Sequence, residues 1–262
     1  MRSVSSFYES FPYPQLPVSE KKDVARHLHE TVMKRILASA NLMPANLKNK
    51  SVLDAGCGTG EKSAYFAMHG AKAIGIDISE NSLSLAKSNA KKFKVDGKCN
   101  FQKLDIFDLP KHFPPASFHH IFSIGVIHHT ENPEKCVEIF SELLKPHGTL
   151  TLGLYHLYGR LPLRLHRAYI KAITGGKMEN GLRHVENSIL RRPLKSDMEK
   201  AYLADTYLHP YESYHSIGEV KGWFSSANLQ FIGTMPKANS FFDELNWLMQ
   251  RKGFFFISSR KP

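Results

Sequence analysis

In the run VLDAGCGTGEK, residues 52–62, an acid at Asp54 precedes glycines at positions 56, 58 and 60. A glycine-rich turn after a short apolar strand lets the backbone approach a ligand closely and aims helix N-terminal amides at it. Taken alone, such a turn suits NAD, FAD, ATP or S-adenosylmethionine (SAM). Spacing narrows the choice. The run reads GxGxG where the dinucleotide fingerprint wants GxGxxG, and Glu61 stands at the place of the third glycine. No GK[ST] follows, which excludes a P-loop. Charge gives a second argument. Asp54 closes the strand and Glu61 opens the helix, and two carboxylates in a poorly screened crevice repel a diphosphate. They suit a cationic ligand, and SAM carries an α-ammonium and a sulfonium.

Further acids stand where such a ligand needs them. Asp77, followed by Ile78, ends the next apolar stretch (AKAIGID, 71–77), where a carboxylate can accept both ribose hydroxyls. Asp105 ends CNFQKLD (99–105), placed to accept an adenine amino group while the backbone of Ile106 meets the ring edge. FHHIFSIGV (118–126) brings Ser123 and Gly125 to the same edge. Ligands of open α/β folds bind at that carboxyl edge.

These residues must be held by regular elements, and the apolar pattern supplies them. Strands are expected at 51–54, 71–77, 99–105, 118–126 and 149–155, with helices at 61–70, 79–93 and 132–145 between them. Such alternation means a doubly wound, mostly parallel α/β sheet. Residues 20–40 form an amphipathic helix, with Val24, Leu28, Val32 and Ile36 at four-residue steps. The rhythm breaks after Tyr155, then returns with a helix at 215–228 and strands at 229–235 and 253–259. The expected organisation is an extension (1–49), a ligand-binding core (50–155), a basic insert (156–214) and a closing helix and strands (215–262).

Composition bounds the partners. The chain has 262 residues, 42% of them hydrophobic, with a mean hydropathy of −0.31. No apolar run approaches the roughly 20 residues that span a bilayer, and no leader-like segment stands at the start, so no membrane partner is expected. Three scattered cysteines, Cys57, Cys99 and Cys136, fit a reducing cytoplasm. The net charge of +11 is uneven: residues 51–155 balance to zero, whereas 156–205 carry ten Lys/Arg against five Asp/Glu. A basic periphery around a neutral core suggests an anionic partner.

Taken jointly, VLDAGCGTG, the acids of GIDIS and KLDIFDL, and FSIGVIHHTENPEKCVEIFSELLKPHGTLTLGLYH resemble the class I SAM-dependent methyltransferases. The likeness covers residues 50–155 closely and the closing piece more loosely. It implies a seven-stranded sheet with the last strand antiparallel, formed by 229–235 and 253–259. It also implies that Asp54, Gly56, Gly58, Gly60, Asp77, Asp105 and Ile106 hold the cofactor SAM. Members of this family commonly place groups facing the methyl after strand four, which makes His128 or His129 a candidate general base. With Glu131 this pair lacks a third, separated ligand, so no metal is expected. The stretch FYESFPYPQLP resembles an extension that closes over the cofactor, which puts Tyr8 and Tyr13 against the methionine end or the acceptor. Tyr155, His156 and Arg160 leave strand five beside the expected acceptor pocket, and His209 sits in what reads as a loop at 205–215. Three functions are compatible with these residues. They are methyl transfer to an O, N or C atom of an anionic small molecule, methylation of RNA such as tRNA through the basic additions, and a SAM-binding partner subunit without turnover.

Overall fold

The computed structural model describes residues 4–11 and 24–262, and Tyr13 falls outside them. Seven strands form one sheet: β1 (Ser51–Ala55), β2 (Lys72–Asp77), β3 (Cys99–Lys103), β4 (Phe118–Ile124), β5 (Leu144–Tyr155), β6 (Gln230–Met235) and β7 (Phe254–Arg260). Their order is β3-β2-β1-β4-β5-β7-β6, and β7 runs antiparallel to both of its neighbours. This is the sheet that the resemblance implies. The chain reverses direction across the sheet between β1 and β4, which opens a crevice at their carboxyl ends.

Alternation of side chains along each strand divides the core into two layers. Leu53 and Ile121 face one layer, with Val137, Phe140 and Phe224 from helices α5 (Pro133–Leu143) and α9 (Ile217–Ser226). Val52 and Phe122 face the other, with Tyr65 and Phe66 of α3 (Glu61–Met68), Leu83 and Ala86 of α4 (Glu80–Lys92), and Ile36 and Leu37 of α2. Helix α2 is π-helical over Val24–Met33 and α-helical over Lys34–Ser39, and it buries Leu28, Met33, Ile36 and Leu37. Of the expected stripe, Leu28 and Ile36 are buried and Val32 partly so.

Two parts differ from the sequence reading. Residues 205–208 do not belong to a loop: they finish α8 (Asp197–Leu208), which follows α6 (Leu161–Thr174) and α7 (Met178–His184). The prolines and paired glycines that suggested irregular structure lie between these helices or at their first turn. The short helix α1 (Val4–Ser10) packs on them, with Phe7 and Phe11 against Leu182, Ala201 and Ala204. The second difference is α10 (Phe241–Met249), between β6 and β7, whose Ser240–Asp243 capping box announces it.

Helix α10 explains how the segment after β5 is anchored. The carboxylate of Glu244 is buried, accepts the Ile217 N–H at 2.8 Å and lies 2.9 Å from His156 Nε2. It thus joins the start of α9 to the residue that leaves β5. A Glu244→Ala change leaves that amide and imidazole without their partner, so we expect a loss of about 1–3 kcal/mol. Chemical denaturation measures it, and an unchanged midpoint would show that the anchor lies elsewhere.

Candidate functional site

The loop after β1 curls over the end of β2, because the Gly56 and Cys57 amides both donate to the Ile76 carbonyl, at 2.8 and 2.9 Å. Gly56 has φ +75° and no room for a side chain: a Cβ would stand 2.3 Å from Val126. Gly58 also has a positive φ, of 54°, and donates its N–H to Asp77 at 2.9 Å. The other oxygen of Asp77 accepts the Ser79 N–H at 2.9 Å. Asp77 therefore fixes the glycine loop and the start of α4 together. Burial raises its pKa above the ordinary carboxylate value, while these two amide bonds pull it down.

A cavity of about 2320 Å³ opens over this edge. Gly56, Gly58, Asp77, Ile78, Asp105, Ile106 and Gly125 line it, as does Tyr8. Asp105 keeps its place through Oδ1, which accepts the Phe107 N–H at 3.0 Å. Three expected residues stay beneath the surface. Asp54 is fully buried, bound to the Ser63 hydroxyl at 2.7 Å, and burial raises its pKa. Gly60 packs against Ala86 at the start of α3, and Ser123 is buried within β4. The charged groups of the loop that reach the cavity are instead Glu61 and Lys62. Lys62 was overlooked in the sequence, although it directly follows the acid there.

Opposite the glycine loop, the wall comes from three distant parts of the chain. Asp205 of α8 accepts the Tyr8 hydroxyl at 3.2 Å and the Tyr155 hydroxyl at 3.4 Å. Side-chain nitrogens of His129 and His209 and an oxygen of Asp205 all lie within 4.8 Å of one another. The backbone of Tyr211 sets the tautomers. His129 Nδ1 donates to the Tyr211 carbonyl at 2.8 Å, which leaves a lone pair on Nε2. His209 Nδ1 accepts the Tyr211 N–H at 3.2 Å, which puts its proton on Nε2, a buried atom with no partner among the described residues. Burial drives both imidazoles to low pKa values, about 3 for His129 and about 2 for His209. Both are neutral in the folded protein. Burial also raises Asp205, to about 6.

Two histidines and a carboxylate at this distance resemble a cation site, and the chain had shown no third ligand near His128 and His129. The donor set fits a cation poorly. His209 presents a proton where a metal needs a lone pair. The arrangement suits proton transfer to and from a ligand oxygen.

Not every expected residue joins this cluster. His128 is buried, both of its ring nitrogens lack partners among the described residues, and it does not line the cavity. His156 is buried in its bond to Glu244 and serves the fold, because the chain turns inward as it leaves β5. Arg160 does line the cavity, with its guanidinium 3.3 Å from the Tyr155 ring centroid. Arg160 and Arg167 share the buried carboxylate of Glu212, at 3.5 and 2.9 Å, and Arg167 also holds the His209 carbonyl at 2.8 Å.

The cavity edge fits SAM on its own evidence. It has a tight backbone turn at Gly56 with no room for a Cβ, acids at the end of β2 and just past β3, and, among the described residues, a lone Lys62 in place of a basic cluster at the glycine turn. Comparison with known proteins agrees. The model of a family described as a methyltransferase domain matches residues 46–198. An uncharacterized protein of Synechococcus is 27% identical over 251 residues, covering 88% of this chain and 59% of that protein. A ubiquinone biosynthesis O-methyltransferase of Coxiella burnetii is 32% identical over 131 residues, covering 50% of this chain and 51% of that protein. The chain thus spans only about half or a little more of the length of these relatives. The magnesium protoporphyrin IX methyltransferase of Synechocystis, solved with bound SAH, has the same fold. Its TM-score is 0.63 at 15% identity, over 99% of this chain and 98% of that one. This chain belongs to the family described as a methyltransferase domain, and it has the fold of the class I SAM-dependent methyltransferases.

Proposed function

We propose that the protein transfers the SAM methyl group to a hydroxyl oxygen of an anionic small molecule. The observation that carries this reading is the cluster of Asp205, His129 and His209 on the cavity wall. SAM, when bound, supplies a methyl group already activated on sulfonium. The chain's own task is then to orient the acceptor, take its proton and exclude water. A hydroxyl oxygen seated within the cluster accepts a hydrogen bond from the His209 Nε2–H and gives its own proton to Asp205 as its bond to the methyl forms and the methyl's bond to sulfur breaks. A base with a pKa of about 6 is ionised at neutral pH and still basic enough to help, whereas an imidazole at about 3 is a weak base. His129, whose Nε2 keeps a lone pair, accepts a hydrogen bond from a second hydroxyl of the acceptor and so orients it.

Other features support the same reading. Lys171, Lys177 and Lys200 line the cavity and favour a negatively charged acceptor. Tyr8 and Phe7 of α1 close over the cluster, and such depth suits a small molecule better than a polynucleotide. The O-methyltransferase named among the relatives also acts on oxygen by its name, and half of this chain aligns with it. Lys62 and Glu61, beside the glycine loop, are placed for the charged amino-acid end of SAM.

The test offers methyl-labelled SAM with matched sets of hydroxy acids, amines and total RNA. Label is expected in the hydroxy acids, and label confined to amines or RNA would refute the reading. Asp205→Asn should lower kcat by about 10²–10⁴-fold while SAM affinity is kept. In the parent protein kcat/KM should rise with pH through about 6, as Asp205 loses its proton, and this limb should vanish in the variant. The linkage has a defined sign. A carboxyl whose pKa is higher folded than unfolded stabilises the fold in acid, and that contribution disappears as pH rises through about 6. Asp205→Asn should therefore compare better with the parent in thermal stability at pH 8 than at pH 5. Separately, Gly58→Arg fills the cofactor cradle, so thermal stabilisation by SAM should be abolished, and retained stabilisation would place the cofactor elsewhere.

A further inference from the structure

Helix α6 has two very different sides. Toward the interior, Leu163, Arg167 and Lys171 line the cavity, and Ile170 is buried. Toward solvent, Leu161, Leu165, Tyr169 and Ile173 follow one another at four-residue steps and are all exposed, Leu165 at 64%. Residues that recur every four positions share one helix face. Ala172 falls on the same face and is exposed too, and no charged residue interrupts it. A soluble helix ordinarily turns polar residues outward, and this one turns large apolar side chains outward.

A second helix does the same. On α10 the exposed large residues are Phe241, Phe242, Leu245 and Met249, with Phe242 at 77% and Met249 at 82%. The two helices are neighbours. The Tyr158 ring packs edge-on against Phe241 at 5.7 Å, and Arg160, which precedes α6, packs on Gly253, just past the end of α10. The start of α6 is thus held against both ends of α10.

Charge indicates what covers these faces. Arg164 stands beside the apolar face of α6, with its guanidinium 4.3 Å from the Tyr214 ring centroid, and the exposed Arg251 and Lys252 follow α10. Residues 156–205, which contain α6, carry a net charge of +5, and of their ten basic residues Arg164, Arg183, Arg191, Arg192 and Lys195 lie outside the cavity lining. Protruding leucine, phenylalanine, methionine and tyrosine side chains bordered by arginine and lysine form the chemistry of a helix lying in an anionic lipid interface. A second copy of the chain would bring the same positive excess against itself.

We propose that α6 and α10 dock the protein peripherally on an anionic membrane surface, with the apolar faces entering the headgroup boundary. Among the described residues no helix is long and apolar enough to cross a membrane, so the contact is superficial. The proposal is independent of the acceptor assigned above, because vesicle binding requires neither SAM nor turnover.

Co-sedimentation with two kinds of vesicle tests it: phosphatidylcholine alone, and phosphatidylcholine with added phosphatidylglycerol. The full chain should sediment with the phosphatidylglycerol vesicles and should be released as salt is raised. The double change Leu165→Ser and Ile173→Ser should weaken this by about tenfold or more, and Phe242→Ser should weaken it as well. Both variants alter only exposed side chains, so their thermal unfolding should match the parent and separate lost docking from lost folding. Failure to prefer the anionic vesicles, or undiminished binding by the double variant, would overturn the proposal. So would a concentration-dependent dimer, seen by analytical ultracentrifugation without lipid, that the same substitutions dissolve. That outcome would make the face a self-interface.

Discussion

The carboxylate of Asp77 is the point on which the cofactor end of the molecule depends. One oxygen receives the Gly58 amide and the other the Ser79 amide. These bonds pin the left-handed glycine loop to the start of α4, across the carboxyl ends of β1 and β2. The tie extends outward through α1. The Glu9 carboxylate accepts the Glu80 N–H at 2.8 Å at the start of α4, and the Ser79 hydroxyl donates to the Tyr8 carbonyl at 3.4 Å. From Tyr8 the chain of contacts reaches Asp205 and the opposite wall. A buried carboxylate without such amides would lose several kcal/mol to desolvation. With them it orders the cradle and leaves lone pairs toward the cavity.

The far wall follows a different rule, in which burial keeps groups neutral. His129 and His209 lose their charged forms to desolvation, and the nearby Arg160 and Arg167 push in the same direction. Glu212, buried between those two arginines, holds their guanidinium groups away from open water. Asp205 feels the opposite effect of the same burial, since desolvation raises a carboxyl, while Tyr8 and the arginines pull it back. One environment thus lowers two bases and raises one acid, which brings the acid into the working range of pH.

Whether a residue could be read from the sequence depended on distance along the chain. Asp54 to Asp105 sit at strand ends spaced by the βα repeat, and their arrangement follows from local pattern and crossover handedness. The sheet was legible for the same reason. Even so, Asp54 and Gly60 proved to be buried supports, because the pattern fixes where a residue sits in the fold and not whether its side chain reaches the cavity. The far wall carries no local signature. His129 meets Asp205 only because a helical insert folds back, and the Ser213 amide bonds the His128 carbonyl at 2.8 Å to close it. Asp205 looked like part of a loop, since His209, Pro210 and the tyrosines after it hide the end of a helix whose outward pattern is weak. His156 was misplaced because its partner, Glu244, lies 88 residues away on a helix the strand pattern had concealed.

The insert also shows how one helix can serve two solvents. A helix that walls a polar cavity usually buries its apolar side in the protein and turns its charges outward. In α6 the arrangement is largely inverted: Arg167 and Lys171 line the cavity, where Arg167 pairs with Glu212, and Leu161, Leu165, Tyr169 and Ile173 face out. With the polar side committed to the interior, solvent receives the apolar remainder. An uncovered apolar face of that extent costs solubility. It therefore persists more readily where something other than water meets it during the protein's working life. The helix that positions Asp205's neighbours is thus the same one that gives the molecule an outward face of its own, and the two demands explain a sequence, LPLRLHRAYIKAIT, that neither would produce alone.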